Sequence, residues 1–282
     1  MRVGDYDVFT FNAGKFRLDG GAMFGVVPQV LWEKRKAPDA QNRIDMCANV
    51  LLLRGEGRNI LIDTGIGDKF DEKFQKIYAV DVTGNNVRNG LAKFGLSPAD
   101  ISDVILTHLH FDHAGGATVR DENGEVRPTF PNAKYYVSRR QFDWAMHPSQ
   151  KDRASFLPED FMPLQASGQL ELLDECCEVF PGIELLIADG HTVGQQMALI
   201  RDDAHSLFYA ADLLPTAAHV PVPWVMAYDL FPLTTVEEKK LYLQQAVDHN
   251  WRVFFEHDPE VHCASIQLTE KGFALGEVFD LQ

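Results

Sequence analysis

Basic residues are scarce in this 282-residue chain: 26 Lys and Arg stand against 41 Asp and Glu, a formal net charge of −15. A surface this poor in cations does not suit a nucleic-acid backbone as partner, and it disfavours attraction to an anionic membrane. No run approaches the ~20 apolar residues that a membrane span needs. Cysteine is rare too. Cys47, Cys176, Cys177 and Cys263 include no C-x-x-C pair and no spacing of a disulfide framework, so buried or partly buried free thiols in a reducing compartment are expected. The start, Met1 to Asp7, is too polar for a signal peptide. There is neither a low-complexity linker nor an internal repeat, so one domain over 1–282 is the simplest organisation. The expectation is a cytoplasmic protein acting on a small neutral molecule, with a homodimer as the only protein partner envisaged.

What the chain does have is histidine in close company. Thr107-His108-Leu109-His110-Phe111-Asp112-His113 packs three imidazoles and one carboxylate into six positions, just after the apolar run Asp103-Val104-Ile105-Leu106. A strand ending in such a cluster delivers several metal ligands to one point. Imidazole nitrogen and carboxylate oxygen suit Zn²⁺ and, less specifically, Mn²⁺, Co²⁺ or Fe²⁺. Gly115-Gly116 follow, and are expected to let the backbone turn tightly. Three more candidates lie where an apolar run gives way to a loop: His191 after Ile183–Ile187, Asp212 after Tyr209-Ala210-Ala211, and His257 after Val253–Phe255. A polar loop with a chance excess of histidine accounts for the first cluster alone. It does not account for the recurrence.

The remaining pattern is that of alternating strands and helices. Strands are expected at Tyr6–Phe11 and at Met46–Leu53 with Asn59–Ile62 as a hairpin, then at Asp103–Leu106 and Ala133–Val137. Five more follow between Leu170 and Ala210, and Trp251–Phe255 is expected as the last long one. Helices are expected at Val87–Phe94, at Ser138–Met146 behind a Ser138–Gln141 capping box, and at Thr234–His249. Residues near 144–168 lack a clear period and suggest an inserted lid. The overall expectation is sheets inside and helices outside.

The set His108-x-His110-x-Asp112-His113, His191, Asp212 and His257 resembles the dinuclear hydrolases of the metallo-β-lactamase superfamily. The resemblance implies an α/β fold, a four-layer αβ/βα sandwich with the metals at one edge between two sheets. It further implies that His108, His110 and His191 hold one ion, that Asp112, His113 and His257 hold the other, and that Asp212 bridges. Asp63-Thr64-Gly65 resembles the family's aspartate turn, with Asp63 orienting a ligand imidazole. Leu18 to Gly25, with Thr107 to Gly116, looks like the quorum-quenching N-acyl-homoserine lactonases and their relative methyl parathion hydrolase. Asp212 stands where true β-lactamases usually have Cys. Pro215 stands where well-known lactonases carry a tyrosine that helps the substrate carbonyl.

These residues suit hydrolysis. Two ions sharing a carboxylate can share one water and lower its pKa, so that hydroxide is available, and they polarise a carbonyl or phosphoryl oxygen. Asp112 can orient the water and pass its proton to the leaving group. Apolar strips around Met23-Phe24, Phe142–Met146, Phe161-Met162 and Pro221–Met226 suggest an acyl or aryl group in the substrate. Met23, Phe24, His219, Trp224 and Tyr228 are the candidate pocket residues; either His219 or Tyr228 replaces the lactonase tyrosine, or the substrate differs. The leading expectation is lactone opening. The alternatives are a phosphotriesterase or arylesterase, or a glyoxalase-II-like thioesterase. The last would want basic residues beyond His257, where only Lys271 stands.

Overall fold

The computed structural model describes residues 1–281. Its first sheet gathers β1 (Arg2–Val3), β2 (Tyr6–Asp19), β3 (Arg43–Gly55), β4 (Arg58–Ile62) and β5 (Asp103–Ile105). A separate small hairpin, β6 (Thr118–Arg120) and β7 (Val126–Pro128), follows, and β8 (Lys134–Ser138) and β9 (Leu170–Leu173) complete the sheet in the order β1-β2-β3-β4-β5-β8-β9. The second sheet runs in sequence order through β10 (Cys177–Phe180), β11 (Ile183–Ala188), β12 (Gln195–Arg201), β13 (Ser206–Tyr209), β14 (Arg252–Phe254), β15 (Cys263–Thr269) and β16 (Gly272–Phe279). The helices are α1 (Gly20–Phe24), α2 (Gln29–Trp32), α3 (Glu72–Tyr78), α4 (Val87–Ala92), α5 (Phe111–Ala114), α6 (Arg139–Met146), α7 (Pro158–Ala166) and α8 (Pro232–Asp248). Among the described residues no helix is long and apolar enough to cross a membrane.

Strand alternation explains the layering. Along β3, Leu51 and Leu53 point to one face, and Val50 and Leu52 to the other. The first pair joins Ile60, Ile62 and Ile105 against Ile183, Leu185, Ile200 and Leu207 of the second sheet, which makes the core between the sheets. The second pair packs with Leu61 and Val104 under Leu91 of α4, Phe142 of α6 and Phe161 of α7. On the far side, Leu199, Phe208 and Val253 pack under Tyr242, Leu243 and Ala246 of α8. The order is therefore helix, sheet, sheet, helix.

Pairing direction then sets the functional edge. β4 with β5, and β13 with β14, are parallel pairs. β11 runs antiparallel to β12, and β12 antiparallel to β13, so β11 points the same way as β13. Within each sheet, the strand ends that carry candidate ligands or Asp63 thus lie on one edge.

Several expectations need correction. β2 continues eight residues past Phe11, because β3 pairs with it as far as Asp19↔Arg43, across a bulge between Asn12 and Lys15. α3, capped by Asp71, was not anticipated, and nor was the β15–β16 hairpin beyond Phe255. The Ser138–Gln141 capping box does not form, because the Gln141 amide donates to Val193 O (2.7 Å) across the domain. α8 starts at Pro232, whose fixed φ suits a first turn, rather than at a Thr234 cap. Of the stretch near 144–168, Phe156, Phe161 and Leu164 are buried in the outer core, and only Lys151, Asp152 and Ser155 reach the cleft. Cys47 and Cys263 are buried thiols, Cys177 is half-buried and Cys176 is exposed.

Candidate metal centre

The chain leaves β5 and reaches His110, then forms the single turn α5, which presents Asp112 and His113. Gly115 and Gly116 matter here for close approach, not for an unusual turn: Gly115 has an ordinary helical φ of −57°. A Cβ on Gly116 would lie 2.2 Å from Thr64 O, and one on Gly115 2.1 Å from Ile66 O. The bare backbone lets the histidine segment dock on the Asp63-Thr64-Gly65 turn, where Thr64 donates from N and Oγ1 to His113 O (2.9 and 2.8 Å). Asp63 itself, and Ala211 beside Asp212, hold left-handed φ values of 60° and 47°. Such conformations cost of order 1–3 kcal/mol each and persist where surrounding contacts impose them.

All seven sequence-derived candidates converge, and all are buried. His108, His110, His191 and Asp212 form one group, and Asp112, His113 and His257 the other. Asp212 sits between them: Oδ2 is 3.0 Å from His191 Nε2, and Oδ1 is 3.1 Å from His257 Nε2. Ring nitrogens also face one another: His108 Nε2 and His110 Nδ1 at 3.0 Å, His191 Nε2 and His110 Nδ1 at 3.2 Å, and His257 Nε2 and His113 Nε2 at 3.0 Å. Two facing imidazole nitrogens can share at most one proton, so these pairs turn lone pairs on one another. A cation satisfies such a set. Ligands ~2.0 Å from a tetrahedral ion stand ~3.3 Å apart, which matches this spacing.

Three outward-facing nitrogens are held by acceptors, whereas His110 Nε2 is buried without a partner among the described residues. Asp63 Oδ2 lies 3.0 Å from His113 Nδ1, and the carboxylate is itself fixed by Thr107, whose N donates to Oδ1 and whose Oγ1 donates to Oδ2, each at 2.7 Å. Cys47 O receives His257 Nδ1 (2.8 Å), and Asp229 Oδ1 receives His191 Nδ1 (3.0 Å). Sequence reasoning found Asp63 but missed Asp229 and Glu256. Glu256 places Oε2 3.0 Å from the same His113 Nδ1, so two carboxylates flank one ring nitrogen. Its adjacency to His257 at a strand end was the available signal. Nothing local marks Asp229, 38 residues from its partner.

Electrostatics follow from burial and neighbours. Burial, and then the surrounding imidazoles, hold His108 and His110 well below the usual histidine pKa, the neutral state that ligation requires. Burial also opposes charge on His113, yet Glu256, Asp112 and Asp212 outweigh it and push that ring up. Burial drives Glu256 up to about 8, against the pull of His113. Asp212 is held well below the carboxylate range: burial opposes this, but His191, His257 and His113 prevail.

The profile of the Metallo-beta-lactamase superfamily matches residues 48–257, from β3 to the last of the seven candidates. The chain belongs to that superfamily. An N-acyl homoserine lactonase of a Bacillus species is 30% identical over 169 residues, 57% of this chain and 60% of that protein. An N-acyl homoserine lactonase of Rhizobium radiobacter, AttM, is 25% identical over 59% of this chain and 61% of its own. The chain thus spans about 60% of the length of these curated relatives. Among solved structures, a probable metal-dependent hydrolase from Staphylococcus aureus superposes with a TM-score of 0.85 at 29% identity, over 99% of this chain and 100% of that one. AidC, a dizinc quorum-quenching lactonase solved with the product N-hexanoyl-L-homoserine, gives 0.81 at 24% identity, over 99% and 97%, which shows the shared fold.

On this metallo-β-lactamase fold the candidate centre opens into a cavity of about 170 Å³. Met23 and Tyr228 line it, as expected, with Leu18, Met46, Phe111 and Met226. Phe24, His219 and Trp224 do not; they form the layer behind. Phe24 stacks between His219 (4.8 Å) and Trp32 (5.3 Å), with Trp224 edge-on at 5.7 Å. Both His219 nitrogens are taken, Nδ1 by Thr216 Oγ1 (2.7 Å) and Nε2 by Met23 O (2.8 Å), and burial lowers its pKa to about 3. His219 thus supports Met23 and has no donor left for a substrate. The pocket contributions of Phe142, Trp144, Met146, Phe161 and Met162 are corrected as well. Phe142 and Phe161 are buried in the outer core, Trp144 and Met162 pack against it, and Met146 is exposed outside the cavity lining.

Proposed function

We propose that the protein is a dinuclear metal-dependent hydrolase that opens lactones of the N-acyl-homoserine type. The observation that carries this is Asp212, one carboxylate with an oxygen toward each of two three-residue donor sets. His108, His110 and His191 would hold one divalent ion, Asp112, His113 and His257 the other, with zinc the best match to the donors. Two ions so held supply a water of near-neutral pKa and polarise the ester carbonyl.

The chain's own residues do the rest. Asp112 lines the cavity, and its oxygens approach His113 and His257 Nε2 no closer than 3.9 and 3.7 Å. With one oxygen serving the second ion, the other would be left to take a proton from the attacking water and return it to the ring oxygen as the acyl–oxygen bond breaks, leaving a hydroxy acid. Asp63, Asp229 and the Cys47 carbonyl fix the tautomers of His113, His191 and His257. The apolar wall of Leu18, Met23, Met46 and Met226 suits an acyl chain, and Lys151, the one lysine in the lining, is held by the carbonyls of Tyr228 and Asp229.

Elemental analysis after gentle purification is expected to find about two equivalents of divalent metal, and a near-zero value in active protein would overturn the dinuclear assignment. In a pH-stat screen, kcat/KM on acyl-homoserine lactones is expected to rise roughly fourfold per added methylene until the pocket fills, from ~0.8 kcal/mol per buried CH₂. Barely detectable rates on every lactone beside fast cleavage of an aryl phosphotriester would transfer the assignment to that chemistry.

A further inference from the structure

Two phenols in the cavity have no part in the chemistry described so far. Tyr78, the last residue of α3, and Tyr228, in the loop before α8, both line it together with Asp112. Neither hydroxyl has a hydrogen-bond partner among the described residues. Their positions are nevertheless fixed. The Tyr78 ring packs on Phe74 (centroids 4.4 Å) and on Phe111 (5.4 Å), the neighbour of Asp112. Lys151 Nζ crosses the cavity mouth to donate to Tyr228 O (2.9 Å) and Asp229 O (2.6 Å), which pins the backbone that carries the second phenol. Burial, and for Tyr78 the nearby Asp112, raises both phenols above their ordinary pKa, so each keeps its proton. Tyr78 is half-buried and Tyr228 more exposed, and an ordered phenol O–H that lines a cavity without a protein acceptor is free to donate to a ligand. His219 cannot compete for that role, because both of its nitrogens are engaged.

Resting on the lactone assignment above, we propose that Tyr78 and Tyr228 together bind a second carbonyl oxygen of the substrate, distinct from the scissile ester. The site then selects lactones that carry an acylamino group beside the ring over bare alkyl lactones of equal size. Pro215 has no donor to offer at its position, so a hydroxyl that binds this carbonyl must come from another residue of the cavity lining.

The test uses the metal-replete enzyme with N-hexanoyl-homoserine lactone and an α-alkyl-γ-butyrolactone of equal tail length. The ratio of their kcat/KM values is the readout, in wild type, Tyr78→Phe, Tyr228→Phe and the double variant. Wild type is expected to favour the acylamino lactone, and each Phe substitution to lower the ratio about tenfold, through loss of one hydrogen bond made only to the carbonyl. A merely structural role would lower both rates alike and leave the ratio unchanged, which would overturn the proposal while the lactone assignment stands. Absence of turnover on both lactones, with two metals bound, would overturn that assignment and the proposal with it. Tyr228→Phe, on a loop at the surface, decides the matter even where Tyr78→Phe fails to fold.

Discussion

Removing the Lys69 ammonium should produce a stability defect that grows with pH. Lys69 Nζ lies 3.0 Å from Asp160 Oδ1, with both side chains at most 2% exposed. It also donates to Gly115 O and Thr118 O, so it joins the segment after Asp63 to the histidine segment and to α7. Burial outweighs the ion pair and pushes the Asp160 carboxyl up to about 6, above the ~3.9 of an unfolded aspartate. The stability carried by protonated Asp160 is therefore complete below about pH 4 and is lost as pH rises toward 6. In the wild type the loss stops there, because above pH 6 the carboxyl ionises in the folded state too. In Lys69→Met no cation remains, and the folded-state pKa is expected to pass 8. The loss then continues through pH 8, so the gap between wild type and variant should widen by about 1.4 kcal/mol per pH unit above 6, or ~2.7 kcal/mol at pH 8. A pH-independent loss of about 1–2 kcal/mol accompanies it, from the two carbonyls left without their donor. Urea unfolding of the metal-loaded protein at pH 6 and pH 8 measures the gap. Lys69→Met/Asp160→Leu, which removes the titrating group, should abolish the pH-dependent part. A gap of equal size at both pH values would refute the reasoning.

Three further outcomes are expected. Asp112→Asn should keep the fold but lose about 10²–10⁴ in turnover, because an amide cannot accept the proton; wild-type kcat at full metal content would remove Asp112 from the mechanism. Asp229→Ala frees His191 Nδ1 and Met226 N, and competition with a chromogenic chelator should show metal affinity weakened by about 10–100-fold. Gly116→Ala sets a methyl 2.2 Å from Thr64 O, and thermal unfolding should register at least the ~1–3 kcal/mol typical of overpacking; an unchanged Tm would mean that the two turns are not packed as described.

The sequence by itself determined which residues meet. Metal ligation demands particular side chains at the ends of particular strands, and such positions are legible because apolar runs mark the strands and the histidines interrupt them at once. His108 to His113, His191, Asp212 and His257 were found this way, whereas Asp63 came from the resemblance of its turn to the superfamily's aspartate turn. What only the tertiary structure decided lies where function depends on a contact between distant segments with no local signature. Asp229, an ordinary loop acid in sequence, reaches His191, and Glu256, marked only by its adjacency to His257, reaches His113. His219 looked like a free polar group until its two nitrogens met Thr216 and Met23. Gly115 and Gly116 looked like a tight turn until the backbone of another segment was found against them. Tyr78 stood unnoticed because α3 is short and half-exposed, and only the packing of Phe74 on Phe111 turns its phenol toward the cavity. Local pattern encodes the ends of strands. The direction in which those strands pair encodes the site.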